Sequence, residues 1–375
     1  MSLSVLLFAR ELRWAVPTTL LVGGTIPHFA LAVAWNVCAA PLPGALVAAV
    51  NESMWAFYQR FVLFFFETFS PVKLRLYGKD AMAVLSGKPE RVLYISNHQC
   101  TVDWIVADML AARQHSLGQI RYMLKDTLLY IPLFGWYFYT HGCVYVRRGG
   151  AFQQDIADRQ FSYLRSLNHP FWLVIYPEGT RFQASNPDQQ AKSAEFAAQH
   201  DLPPLAHVLT PRVKGIRLAA EELHCALDAI YDVTVVYGST RHSTHGTRAN
   251  APSMFEFVFG AGDLHVHLER VPIADVPMEP RQFEQWLHGR FERKNTMLAR
   301  YYSSDFKPGE DAVFDDELTG TVTKPQSVPI LLATTVYGLM LAPALSSRKV
   351  AVAYAAMWLL GGILGVGWVK LKRGA

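Results

Sequence analysis

From residue 15 to residue 50 the chain carries no Asp, Glu, Lys or Arg, an uncharged run of 36 residues. A helix needs about 20 apolar residues to cross a bilayer, so the run holds one membrane span with residues to spare. Pro17, Pro27, Pro41 and Pro43 interrupt it. Two arrangements stay open: one kinked span followed by a shallow segment, or two short helices in a re-entrant hairpin. Residues 325–347 and 350–369 are also uncharged, with only Arg348 and Lys349 between them, and read as a helical hairpin in the membrane. Lys370, Lys372 and Arg373 beyond it, and Arg10 and Arg13 before the first run, put both flanks on the cytosolic side by the positive-inside tendency. A cleaved signal peptide fits poorly, because its apolar core is only about 7 to 15 residues long. The apolar block 61–66 beside Trp55, Tyr58 and Arg60 has the aromatic and basic mix of a membrane interface.

These runs lower the charged fraction of the chain to 18%, with 51% hydrophobic residues, against about 25% charged in soluble proteins. That excludes a disordered chain and argues against a wholly soluble one. A formal net charge of +4, with no concentrated basic stripe, argues against a nucleic-acid partner. Cys38, Cys100, Cys143 and Cys225 are far apart and form neither a CxxC pair nor a dense disulfide framework. They read as reduced thiols in a chain whose globular part faces the cytosol.

Charge returns between the ends. The expected organisation is an N-terminal membrane segment with an interfacial helix over residues 1–70, a globular domain over 71–308, a solvated acidic linker over 309–324 and a C-terminal membrane hairpin with a basic tail over 325–375. Apolar, β-branched and aromatic runs at 91–96, 119–124, 143–147, 171–176, 208–213, 231–237 and 264–268 read as strands. Helical periodicity marks 102–114, 152–167, 193–199 and 283–302. This alternation predicts an α/β fold, a mixed sheet flanked by helices, with membrane helices at both ends.

Two motifs each follow a predicted strand, where α/β sheets gather their sites. The first runs Ser96, Asn97, His98, Gln99, Cys100, Thr101, Val102, Asp103. On one continuous helix, His98 and Asp103 would stand about 140° apart. They meet only if His98 lies in the turn before the helix and Asp103 in its first turn. Asp103 would then fix the imidazole tautomer and stabilise the imidazolium, equipping His98 to activate a hydroxyl. The second motif is Tyr176, Pro177, Glu178, Gly179, Thr180, Arg181. Gly179 permits a tight turn whose amides can face an anion, and Arg181 offers a planar fork that suits phosphate. Alone, each motif has a plainer reading, a capped helix for the first and a turn closed by a Glu–Arg ion pair for the second.

Together the two motifs resemble the glycerolipid acyltransferase family, in which a histidine, four residues and an aspartate are followed by proline, glutamate, glycine, threonine and arginine. Gly142 to Arg148 match the glycine-and-basic strand between them, and Val208 to Arg212 a fourth, looser region. The stretch 98–110, the run 228–237 and the C-terminal apolar pair look like the epsilon-type 1-acylglycerol-3-phosphate acyltransferases. The resemblance implies acyl transfer from acyl-CoA, a co-substrate rather than a cofactor, to the sn-2 hydroxyl of lysophosphatidic acid or a related lysophospholipid. It implies His98 as general base, Asp103 as its orienting partner, and Glu178, Gly179, Thr180 and Arg181 at the acceptor phosphate. Lys125 matches a phosphate-contacting lysine, and Arg147 and Arg148 are further candidates. The bilayer would be the partner, in the endoplasmic reticulum, nuclear envelope or mitochondrial outer membrane. The fourth region also looks like the lysocardiolipin acyltransferases, and a membrane acyl-CoA hydrolase would share His98.

One base and one oxyanion stabiliser suffice for a thioester donor, with no covalent intermediate. No cofactor and no metal are needed. His265 and His267 read as a strand-face pair rather than metal ligands, and Cys100 as a bystander rather than a nucleophile.

Overall fold

The computed structural model describes residues 3–79, 81–146, 154–241, 248–260, 262–307, 312–314 and 320–373. Its strands are β1 Leu74–Tyr77, β2 Val92–Ser96, β3 Ile120–Lys125, β4 Val144–Val146, β5 Trp172–Ile175, β6 Ala229–Tyr237, β7 Leu264–Pro272 and β8 Thr321–Val322. The helices are α1 Leu3–Cys38, α2 Gly44–Leu63, α3 Ala81–Ser86, α4 Asp103–Arg113, α5 Phe134–Thr140 and α6 Gln154–Ser166, then α7 Pro187–Gln199, α8 Val213–Leu223, α9 Met254–Gly260, α10 Pro280–Tyr301, α11 Ser327–Ser346 and α12 Arg348–Arg373.

The chain forms two compact units. The helical unit comprises Met1–Phe69, Leu117–Gln160 and Gln326–Ala375, and the sheet unit Ser70–Ser116 and Phe161–Pro325. Residues 117–160, expected inside the globular domain, therefore belong with the terminal segments. Their local packing gives the reason. On α12, a Cβ at Gly362 would lie 2.6 Å from Pro132, and one at Gly365 2.9 Å from Trp136, so bare backbone admits the segment around α5. Leu129 and Tyr145 share a small core with Val369 of α12.

Among the described residues, three helical stretches are long and apolar enough to cross a membrane: Pro17–Cys38, Ser327–Ser346 and Arg348–Leu371. The N-terminal run thus resolves into one long helix that passes Pro17 and Pro27, a turn, and α2. The block 61–66, expected at the membrane interface, is mostly buried by the chain itself, with Phe61, Val62, Leu63, Phe65 and Phe66 all enclosed. Arg121 of β3 donates to Glu52 of α2 at 2.7 Å, and the Trp55 indole stacks on His141 at 3.8 Å.

In the sheet unit the strand order is β5-β2-β6-β7-β1-β8. β2 pairs in parallel with β5 and β6, β6 runs antiparallel to β7, and β7 runs parallel to β1. Every residue of β2, β5 and β6 is buried, as expected of central strands covered on both faces. α4 is mostly buried, its apolar residues from Ile105 to Ala112 enclosing Asp108 as well. α10 begins at Pro280, with the Glu279 carboxylate accepting from Arg281 N and Gln282 N, an N-cap that satisfies two otherwise orphaned amides.

Two expectations fail here. Residues 208–213 do not form a strand, because their amides bond elsewhere: Leu209 N to Glu178 Oε2, Thr210 N to Ser193 Oγ and Arg212 N to Pro177 O. The 309–324 segment is not simply a solvated linker. Ala312, Val313 and Phe314 are buried and β8 pairs with β1, whereas Glu310, Asp311, Asp315, Asp316 and Glu317 lie outside the described residues.

Candidate active site

β2 ends at Ser96, and Asn97 extends its pairing with a side chain. Its Nδ2 donates to Val235 O at 3.0 Å and its Oδ1 accepts from Val235 N at 2.8 Å. Gln99 Nε2 donates to the same carbonyl at 2.7 Å. Between these anchored neighbours the His98 side chain stays 23% exposed, while Asp103, at the start of α4, is 1% exposed. The helix begins at Asp103 and His98 sits in the preceding turn, the one arrangement in which the two can meet.

His98 Nδ1 lies 2.7 Å from Asp103 Oδ2, and that oxygen also accepts from Gln99 N at 2.6 Å and Cys100 N at 2.9 Å. Oδ1 accepts from the Tyr237 hydroxyl. A carboxylate only accepts, so the bond assigns the proton to Nδ1 and leaves Nε2 with a lone pair. The Tyr176 ring stacks on the imidazole, with centroids 4.5 Å apart.

The second turn follows β5, the parallel neighbour of β2. Gly179 has φ +70°, a left-handed conformation that costs other residues free energy. Glu178 turns inward: Oε1 accepts from His98 N at 2.7 Å and Oε2 from Leu209 N at 2.9 Å. Phe182 N donates to His98 O at 2.7 Å, so the two turns hold the His98 backbone from both sides. Burial pushes the Glu178 carboxyl up to about 8, against the two amides, which favour its charged form. Glu178 was expected at the acceptor phosphate. Both of its oxygens are engaged by main-chain amides and turned away from solvent. Thr180 and Arg181 are exposed, and Arg181 donates to Thr101 Oγ1 on the His98 turn.

Cys100 Sγ donates to Pro252 O at 2.7 Å. Burial, with the charge of Asp103 adding to it, pushes the thiol up to about 12, so it keeps its proton and is a poor nucleophile. His265 Nδ1 meets the Tyr77 hydroxyl at 2.8 Å. Among the described residues no group of three His, Cys, Asp or Glu could hold a metal ion. Lys125 is exposed at the end of β3, in the helical unit. Arg147 and Arg148 lie outside the described residues.

Sequence reasoning missed two residues. Tyr237 ends a predicted strand, a position that could have drawn attention. Arg248 had no local signal. Its guanidinium donates to Gln99 Oε1 at 2.6 Å and His207 O at 2.5 Å, and it lies 4.0 Å above the Phe182 ring.

The chain is similar to known proteins over most of its length. The family model described as Acyltransferase matches residues 74–238, and that described as Acyltransferase C-terminus matches residues 261–329. The 1-acyl-sn-glycerol-3-phosphate acyltransferase epsilon of Mus musculus is 38% identical over 374 residues, which cover 99% of this chain and 100% of that protein. A probable 1-acyl-sn-glycerol-3-phosphate acyltransferase 5 of Arabidopsis thaliana is 33% identical over 59% of this chain and 56% of its own length. The crystal structure of the LPA acyltransferase PlsC from Thermotoga maritima gives a TM-score of 0.43 at 14% identity, over 80% of this chain and 99% of that one, a likeness too loose to carry a conclusion.

Proposed function

The chain belongs to the glycerolipid acyltransferase family, and from that premise we propose that it moves an acyl chain from acyl-CoA to the sn-2 hydroxyl of lysophosphatidic acid. The products are phosphatidic acid and free CoA. The observation that carries this reading is the 2.7 Å contact of His98 Nδ1 with Asp103 on a partly exposed turn to which Arg181 is anchored.

In the proposed step the hydroxyl oxygen attacks the thioester carbonyl carbon while its proton passes to His98 Nε2. Asp103 stabilises the imidazolium and keeps the ring in the productive tautomer. The tetrahedral intermediate collapses by breaking the carbon–sulfur bond, and the departing thiolate recovers the proton from Nε2. Arg181 binds the acceptor phosphate, its fork giving two parallel charge-assisted bonds. Glu178 takes no part in proton transfer and braces the His98 amide. The sheet unit faces the cytosol, where acyl-CoA is available, from the endoplasmic reticulum, nuclear envelope or mitochondrial outer membrane.

The test is CoA release by the purified full chain in bilayer nanodiscs, with and without lysophosphatidate. Release should depend on the acceptor and match phosphatidic acid formed one for one. Equal release without acceptor would make the protein a thioesterase.

A further inference from the structure

Tyr237 is the last residue of β6 and is 1% exposed. Its carbonyl accepts from Thr240 Oγ1 at 2.6 Å, and that hydroxyl meets the Tyr302 hydroxyl at 2.6 Å. Its ring meets Phe257 edge-on, with centroids 6.0 Å apart. The phenol is therefore held in place before any substrate arrives, and it donates to Asp103 Oδ1, the oxygen that the imidazole and the two amides leave free.

We infer that Tyr237 is a positioning residue for acyl transfer: its hydroxyl fixes the second oxygen of Asp103 and sets how strongly that carboxylate draws on the His98 imidazole. The inference rests on the general-base reading given above. A donor on Oδ1 disperses the carboxylate charge. Without it, the charge concentrates on the side facing Nδ1, the imidazolium gains stability, and His98 holds its proton to higher pH.

The other groups near the dyad are Tyr94 on β2, Cys100 on the same turn, Asp108 on α4, and Tyr176, Glu178 and Arg181 after β5. Burial pushes the hydroxyls of Tyr94, Tyr176 and Tyr237 up and the Cys100 thiol to about 12, so all four stay protonated. Glu178, at about 8, is the neighbour that changes charge in the working range. It is common to wild type and variant, so the difference between them isolates Tyr237.

The measurement is the pH dependence of diethyl pyrocarbonate modification of His98, read peptide by peptide by mass spectrometry on the full chain in nanodiscs. The reagent attacks the neutral imidazole. In Tyr237→Phe the midpoint should rise by about half a pH unit, and the acid limb of kcat/KM should move with it. Tyr231→Phe removes another hydroxyl from β6 and should leave the midpoint in place. If the phenylalanine variant does not fold, 3,5-difluorotyrosine at position 237, a stronger donor of similar shape, should lower the midpoint. An unmoved midpoint in a folded variant overturns the inference. A midpoint that moves while the kcat/KM limb stays still supports the hold of Tyr237 on His98 and overturns the general-base reading instead.

Discussion

Asp232 and Asp103 are both buried carboxylates that bond to residues on or beside β6, and the fold compensates their charges by different means. Asp232 stands on the strand itself, with Lys294 on one oxygen and Arg290 Nε on the other at 2.5 Å. Burial pushes its carboxyl up, but the two cations outweigh burial and hold it below the usual range. Among the described residues, no Lys or Arg hydrogen-bonds to Asp103. Two amides, a phenol and the imidazole share it. A charge locked between two cations, with Asp232 and Lys294 both buried, presents no group that a substrate can reach. Neutral donors keep Asp103 satisfied and leave His98 as the partner that can take a proton and give it back.

Removing that responsive partner should have the largest effect. His98→Ala should lower acyl transfer by roughly 10² to 10⁴ while thermal unfolding stays near wild type, since the side chain is partly exposed and its backbone bonds remain. Near-normal turnover in the purified variant would break the contrast between the two carboxylates.

Glu178 tests a third means of compensation, amides on both oxygens of a buried carboxyl with Arg248 acting only through its charge. Its folded value of about 8 is raised from 4.5, so the folded state holds the proton more tightly than the unfolded chain. The resulting stability is fully present below about 4.5 and is lost as pH rises through about 8, a change on the order of a few kcal/mol. Thermal unfolding across that window should show the decline in wild type and a flatter profile in Glu178→Gln. Parallel profiles would assign the pH dependence to another group.

Arg181 sharpens the contrast from the solvent side, as a cation bonded to Thr101 on the His98 turn rather than to Asp103. Arg181→Lys keeps the charge and loses the fork, so KM for lysophosphatidate should rise about tenfold, with a smaller rise for acyl-CoA. Equal losses on a monoacylglycerol, which lacks the phosphate, would make the residue structural. The smallest effect belongs to Cys100→Ser, which should keep activity within about twofold, because the thiol acts as a buried donor to Pro252 O and not as a nucleophile. Loss of all activity in the folded variant would revive a covalent route.

The parts of the site legible in the sequence were those that a single turn encodes. His98 and Asp103 are five residues apart and Gly179 to Arg181 are contiguous, so each motif stood within one short stretch, and it was their combination that carried the family resemblance. Tyr237 reaches Asp103 across 134 positions and Arg248 reaches Gln99 across 149, and no periodicity encodes such pairings. The inward turn of Glu178 was hidden for the same reason, since it depends on amides from two distant segments. In the fold, β1 went unread although Leu74 and Leu76 are buried on either side of the less buried Arg75. α8 was also missed, although Ile216, Ala219, Ala220 and Leu223 give it a helical stripe. The run at 208–213 misled because apolar composition predicts burial, while pairing in a ladder needs free amides.

The central claim is that Asp103, and not simply any buried carboxylate of this sheet, serves the reaction. Its most direct test is kcat measured side by side for Asp103→Asn and Asp232→Asn, each corrected for the folded fraction. Asp103→Asn should lose roughly 10² to 10⁴ in kcat by favouring the wrong imidazole tautomer. Asp232→Asn should lose about 3 to 5 kcal/mol of stability by leaving Lys294 buried without its counter-charge, yet turn over normally per folded molecule. Equal losses of kcat in the two variants, or normal kcat in Asp103→Asn, would contradict the account.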